Sequence, residues 1–353
     1  MNCTYYIGVD VHSNNIEMAV RHKGQVRQRF ALPTSIPAVA TAIDSFNGPK
    51  MMAIEEGPMA GWLYRNLLKK VDKFIVSEPR RNKLISSDGD HDDKIDSAKL
   101  AMLLEGGFLK EVYHSDDVKK AEFKQWVNLY HDRVKDAVRS INKIRAVGRM
   151  QGIKIPRSVI IKPENRSKWL NQIGQKSLSD QLNMLFIGYD AAAQQTHLAK
   201  QQLICFGKNY PIIKIWQQIV GVGLIRATTL FAYLDTPFRF RKKSKLWKYC
   251  GVGLMRTTSG KDNKGIPKPA KLQLPWNCSR VLKNVVLGAS LSAIRQKDNI
   301  FRADYERMIK NGIIASNARH TVARKMLTAM WGIWKSSYQN GTVRFCQGKI
   351  TAD

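Results

Sequence analysis

Five of the chain's 28 acidic residues fall within nine positions, Asp88 to Asp96 (DGDHDDKID), in a protein whose 58 lysines and arginines give it a formal charge of +30. Carboxylate oxygens crowded into one stretch are what a hard divalent cation takes as ligands. A strongly basic chain draws phosphate backbones to itself by counterion release, so the two features together point to metal-assisted chemistry on nucleic acid. A calcium loop does not account for the stretch. Counted from Asp88, an EF-hand needs Gly at its sixth position and Glu at its twelfth, where this chain has Asp93 and Lys99. A helix N-cap at Asp92 or Asp93 explains one acid and leaves the others.

Other carboxylates stand where they would be costly without a purpose. Asp10 ends the apolar run Ile7-Gly8-Val9-Asp10-Val11-His12, and a charge inside such a strand needs a cation or donors to compensate it. Glu55 and Glu56 close the run Met51-Met52-Ala53-Ile54 just before Gly57, a strand end from which either side chain reaches a site above a sheet. Asp93 and Asp96 are three apart at a helix start and share one face; Asp92, one turn before Asp96, is a rival ligand. Later in the chain Arg239, Arg241, Lys242, Lys243, Lys245 and Lys248 are interleaved with Phe238, Phe240 and Trp247, a mixture suited to a nucleic-acid surface or to a solvated basic face. Val220-Gly221-Val222-Gly223 between helical segments fits either simple packing of two helices or, as in a helix-hairpin-helix, approach of backbone N–H groups to a DNA phosphate.

The elements that must position these residues follow from periodicity. Strands are expected at Tyr5 to Val11, Ile16 to Val20, Val26 to Leu32, Met51 to Ile54 and Phe74 to Val76, with helices at Ile36 to Phe46, Ala60 to Lys70 and from Asp93 through Leu104. From Asp116 to about Met150, Val127, Tyr130, Val134, Ala137, Ile141 and Ile144 recur at alternating three- and four-residue steps, a coiled-coil seam that requires a partner helix. A helical run from Tyr189 to Phe206 could supply it, with Pro156 to Pro163 and the polar Ser167 to Asp180 as connection. A long helix packed within one chain and a dimerising arm satisfy the pattern equally. The closing segment Ala315 to Tyr338 has Ala318, Val322, Met326, Leu327 and Trp331 at core spacing, leaving Arg319, Arg324 and Lys325 for its exposed side. The expected class is α/β plus all-α in three parts: residues 1–112, 113–208 and 209–353.

Length and composition bound the rest. A chain of 353 residues is long enough for two or three domains with their own cores. No secretory signal opens it and no uninterrupted apolar run reaches membrane-span length, so a soluble cytoplasmic protein without membrane partners is expected. Its five cysteines are odd in number, scattered and without C-x-x-C spacing, so neither a disulfide framework nor a zinc site is indicated and ordinary reduced thiols are expected.

Asp10 in a strand, Glu55 at a strand end before Gly57, Asp93-Lys94-Ile95-Asp96-Ser97-Ala98 opening a helix, and Gly221-Val222-Gly223 followed by Ser259-Gly260 resemble, over nearly the whole chain, the DEDD transposases of the IS110 insertion-sequence family. The resemblance implies a RuvC-like (RNase H-like) N-terminal domain, a long helical coiled coil and a mainly helical C-terminal transposase domain. It implies Asp10, Glu55, Asp93 and Asp96 as an acidic tetrad for Mg²⁺ or Mn²⁺, and Ser259 in Arg256-Thr257-Thr258-Ser259-Gly260 as the nucleophile. In the family two small residues usually separate the glutamate from the glycine; here Glu55-Glu56-Gly57-Pro58 is shorter, leaving Glu56 as a competitor. The implied partners are donor and target DNA, a structured bridge RNA as guide, and further copies of the chain in a dimer or tetramer, at the nucleoid of a bacterium or archaeon. Metal and nucleophile then fall on separate domains, and assembly would gate cleavage. Lys261, Lys264, Lys268 and Lys271 near the serine suit the DNA backbone or a solvated loop, and Arg256 is a candidate for nucleic-acid binding and charge stabilisation.

Three classes of function are therefore distinguishable: an RNA-guided recombinase that forms a phosphoserine link to DNA, a metal-only RuvC-like nuclease or junction resolvase, and a basic RNA-binding protein without turnover. The last leaves the acid cluster unexplained.

Overall fold

The structure, a computed structural model, describes residues 4–79, 93–257 and 271–339. It divides into two compact units, Met1–Lys120 and Ala121–Asp353.

The first unit is a five-stranded mixed sheet. β1 (Tyr5–Val11), β2 (Asn15–His22) and β3 (Gln25–Pro33) form an antiparallel meander, β2 and β3 joined by the two-residue turn Lys23-Gly24, both at positive φ. β4 (Lys50–Glu55) and β5 (Lys73–Ser77) then add in parallel beyond β1, giving the order β3-β2-β1-β4-β5. Parallel neighbours need crossover connections, and α1 (Ile36–Asp44) and α2 (Ala60–Leu67) supply them. Ser35 caps α1, its hydroxyl oxygen accepting from the Ala38 N–H.

Strand alternation sorts the side chains onto two faces. Ile7, Val9, Met18, Val20, Met52, Ile54, Phe74 and Val76 pack on Val39, Ile43, Leu63 and Leu67 of α1 and α2. The opposite face carries Gly8, Ala19 and Ala53, a floor of small residues, and α3 (Asp93–Glu105) lies across it. The approach is close: a Cβ on Gly8 would sit 2.2 Å from the Ser97 carbonyl oxygen and 2.4 Å from the Ala101 nitrogen. Leu100 and Leu104 of α3 bury against Ala53 and Ile75, and Arg21 of β2 pairs with Glu105 at 3.0 Å.

Among the described residues, the second unit is helical apart from one short hairpin. α4 (Val118–Met150) and α7 (Lys176–Lys208) run antiparallel. Phe123 and Val127 share a core with Leu203, Arg133 Nη1 donates to Gln195 Oε1 at 3.1 Å midway, and Ile144 meets Leu178, Leu182 and Phe186 at the other end. The heptad seam of α4 thus has its partner within the chain. α7 begins well before Tyr189, and the polar stretch expected to be a connection is itself helical: α5 (Arg157–Ile161), α6 (Arg166–Ile173) and the first turns of α7. Composition misleads there because the inward residues of α6 and the start of α7, Arg166, Trp169, Leu170, Ile173 and Leu178, are interleaved with Ser167, Lys168, Asn171, Gln172 and Ser177 on the exposed side.

The remaining core joins α8 (Pro211–Trp216), α9 (Leu224–Leu234), α10 (Lys243–Tyr249), the hairpin β6 (Met255–Thr257) and β7 (Lys271–Gln273), α11 (Arg280–Arg295), α12 (Ile300–Lys310) and α13 (Ala315–Gln339). Trp216, Phe231 and Trp334 are among its largest buried side chains. Ala318, Val322, Met326 and Leu327 of α13 are buried as core spacing predicted, and Trp331 is half-buried. No helix among the described residues is long and apolar enough to cross a membrane.

Candidate functional site

The acids expected to act together come from three elements of the first unit. Asp10 follows Val9 on β1 and Glu55 follows Ile54 on β4, and the parallel register sets Val9 beside Ile54. Asp10 and Glu55 are therefore neighbours, each two positions past Gly8 and Ala53, on the face that α3 covers. On α3, Asp96 lies one turn before Leu100, which buries on that same face. Asp93 is the first residue of α3; its side chain, like Asp92 and the rest of the 80–92 stretch, lies outside the described residues.

Within this arrangement Oδ1 of Asp96 is buried and has no hydrogen-bond partner among the described residues. A buried carboxylate oxygen without a donor is costly, and an oxygen-rich donor set is what a hard cation takes. Among the described residues, no three acidic, histidine or cysteine side chains are gathered closely enough to hold an ion. Asp10 is engaged instead with His12, whose Nε2 lies 3.0 Å from Oδ2. Sequence reasoning did not single out His12 as a partner of Asp10. It also passed over Glu17, the cross-strand neighbour of Asp10 on β2, although a carboxylate amid Ile16, Met18 and Ala19 carries the same signal as Asp10 itself.

Glu55 and Glu56 separate clearly. The Glu56 backbone N–H donates to the Ser77 carbonyl, and His114 Nε2 lies 2.6 Å from Glu56 Oε2, with the His114 ring against Tyr64 of α2. Glu56 thus turns to the α2 side, and Glu55 is the glutamate on the face of Asp10.

In the second unit the basic and aromatic run 238–248 divides into two kinds of side chain. Arg241, Lys242, Lys243, Lys245 and Lys248 are exposed, as is Arg256 on β6. Arg239 is half-buried: it donates to the Tyr233 carbonyl at 3.0 Å and to the Tyr249 hydroxyl at 3.3 Å, with its guanidinium stacked 4.4 Å from the Tyr249 ring. Arg324 is likewise turned inward, against the expected exposed side of α13, and donates to the Val252 carbonyl at 3.0 Å. Ser259, Lys261, Lys264 and Lys268 lie outside the described residues, and Lys271 opens β7. The strands β6 and β7 flank them on either side.

Residues 214–306, within the second unit, match the family model of the transposase IS116/IS110/IS902 family. No curated protein matches the chain. The match supports, in general terms, a DNA transposase or recombinase role.

Proposed function

We propose that this transposase cuts and rejoins DNA through two groups of residues, the tetrad Asp10, Glu55, Asp93 and Asp96 and the hydroxyl of Ser259. The observation that carries the proposal is the shared sheet face of Asp10, Glu55 and Asp96, with the buried Oδ1 of Asp96 left without a donor among the described residues. The N-terminal unit is assigned a RuvC-like fold because its three antiparallel strands, followed by two parallel ones, carry helices on both faces of the sheet.

The tetrad would hold Mg²⁺ or Mn²⁺, which would supply positive charge to the nonbridging oxygens of the scissile phosphate. Asp10 must then give up part of its hold on His12. Ser259 Oγ bonds to phosphorus, the bridging P–O bond to the neighbouring nucleotide breaks, and the departing strand end takes a proton in place of the one that Oγ releases to solvent. The phosphodiester energy is kept in the phosphoserine link. Attack by the hydroxyl of another strand reverses the step and restores Ser259. Exposed Arg241, Lys242, Lys243, Lys245, Lys248 and Arg256 suit the DNA backbone. Arg239 contributes to packing more than to DNA. Target choice is assigned to a structured bridge RNA, and assembly to copies of the chain in a dimer or tetramer.

Asp10→Asn and Asp96→Asn test the tetrad. Each is expected to keep the circular-dichroism spectrum of the parent and to lose about a hundredfold or more of divalent-dependent DNA cleavage. Cleavage at the parental rate in Asp96→Asn would remove the tetrad from the mechanism.

A further inference from the structure

Trp276 is the most exposed of the chain's eight tryptophans, at 85 %, and Trp62 follows at 38 %. Burying a side chain of this size is a large gain, yet this one is left outside. Among the described residues its ring has no stacking partner and its indole N–H no acceptor. Nothing in the cutting chemistry above uses it.

The backbone beneath the indole is held on both sides. Met255, Arg256 and Thr257 of β6 pair with Gln273, Leu272 and Lys271 of β7, and farther along the Ser279 N–H donates to the Tyr249 carbonyl at 3.1 Å. These contacts keep one antiparallel register, which brings residues 274–278 alongside 250–254. Pro275 is buried, the Cys278 N–H donates to the Trp276 carbonyl at 3.2 Å, and Cys278 Sγ rests against Gly251, where a Cβ would meet it at 2.8 Å. Ser279 then caps α11, its hydroxyl oxygen accepting from the Leu282 N–H. A ring on so fixed a support loses little freedom when it binds.

Its neighbours extend the exposed surface. Arg256 and Leu272 are direct partners and share one face of the hairpin, with Leu254 two positions before Arg256 on that face. Leu254 is 46 % and Leu272 64 % exposed, and Arg256 is exposed between them. Lys248, whose backbone packs against Gly253, and Arg280 add exposed cations at the same end. Between Asp235 and Asp298 the sequence holds a single acid, Asp262. A rim so strongly of one sign selects a polyanion and repels an identical surface on another copy. The polyanion that also offers flat apolar faces is a nucleic-acid strand with its bases unpaired, since a closed duplex hides those faces.

We propose that Trp276, with Leu254 and Leu272 beside it, is a stacking platform for an unpaired base of a DNA strand, and that Arg256, Lys248 and Arg280 take the neighbouring phosphates. The proposal rests on the transposase reading, which makes DNA the strand and its cutting the source of unpaired bases. It is independent of the serine and the tetrad.

The test is fluorescence anisotropy of the full-length protein with an end-labelled, mixed-sequence DNA single strand across a salt series, with the closed duplex and the RNA of the same sequence in parallel. Trp276→Ala is expected to keep the melting temperature and to weaken single-strand binding about tenfold, within the range for one stacked base. The slope of log K against log salt stays parental, because no phosphate contact is lost, and duplex affinity stays parental too. Trp276→Phe recovers most of the affinity. Arg256→Gln does the converse and lowers the slope by about 0.7, one phosphate's worth on a single strand. Parental single-strand affinity in Trp276→Ala overturns the proposal, as does an equal loss on the duplex or a loss confined to RNA. A parent protein that binds DNA in neither form would instead overturn the transposase reading beneath it.

Discussion

His114 Nε2 lies 2.6 Å from Glu56 Oε2, and this contact removes Glu56 from the face on which Asp10 and Glu55 stand side by side. Glu55→Gln is accordingly expected to abolish divalent-dependent cleavage, whereas Glu56→Gln keeps most of it. Parallel cleavage assays of the two variants decide the matter, and equal losses would mean that both glutamates serve the site.

Gly8 is where α3 touches the sheet. A methyl group there meets backbone atoms of Ser97 and Ala101 rather than a side chain that can swing aside, so α3 must lift and Asp96 with it. Gly8→Ala is expected to cost about 3 kcal/mol, the upper range for overpacking, and to lose cleavage even at temperatures where the protein stays folded. Chemical denaturation with a cleavage assay on the same samples measures both.

The Arg166 guanidinium makes two bonds to Asp190, at 2.5 and 2.6 Å, donates to the Val159 and Ile160 carbonyls, and lies over the Phe186 ring. It ties α5 and α6 to α7 at the far end of the helical pair. Truncating a buried partner of this kind leaves its acceptors stranded, so Arg166→Ala is expected to destabilise the second unit by about 3 kcal/mol. Replacing both partners by apolar residues, Arg166→Met with Asp190→Leu, should recover most of the loss. A double-mutant series in denaturant measures the recovery.

His131 on α4 lies 2.9 Å from Thr229 Oγ1, whose hydroxyl donates to the Ile225 carbonyl, so the imidazole donates through Nε2. Burial, with help from Lys135, holds its pKa below the usual 6.5. The unfolded chain therefore takes up a proton that the folded one refuses as pH falls through 6.5, and stability declines from there until the folded-state pKa is passed; above that window His131 contributes no pH dependence. Melting curves at about pH 7.5 and about pH 5 should show the decline, and His131→Gln should reduce it.

Much of this was legible in the letters. The five strands, the helix opened by Asp93 and the buried stripe of α13 follow from apolar periodicity, which burial then enforces. What escaped was whatever depends on a neighbour distant in sequence. Whether Glu55 or Glu56 faces Asp10 is fixed by the β1–β4 register and by His114, neither visible in the run Glu55-Glu56-Gly57. Arg239 and Arg324 counted toward basic surfaces because a guanidinium stacked on tyrosine or bonded to a carbonyl looks, as a letter, like one in water. The helix 157–161 was hidden because it is a short turn between Pro156 and Pro163, and the helix 166–173 because its inward residues are interleaved with polar ones. Glycine carried two meanings: Gly221 is required by packing, while Gly223 has open space around it.

The most direct measurement of the central claim is capture of the protein–DNA link itself. Purified protein is incubated with donor DNA, the structured RNA proposed as its guide and Mg²⁺, quenched in denaturant and resolved, and the adduct is digested for mass spectrometry. A phosphorylated peptide spanning Arg256-Thr257-Thr258-Ser259-Gly260, with the mass on Ser259 and no adduct from Ser259→Ala, is the predicted result. Cut DNA with free ends and undiminished cleavage in Ser259→Ala would contradict it and leave a metal-only nuclease in its place.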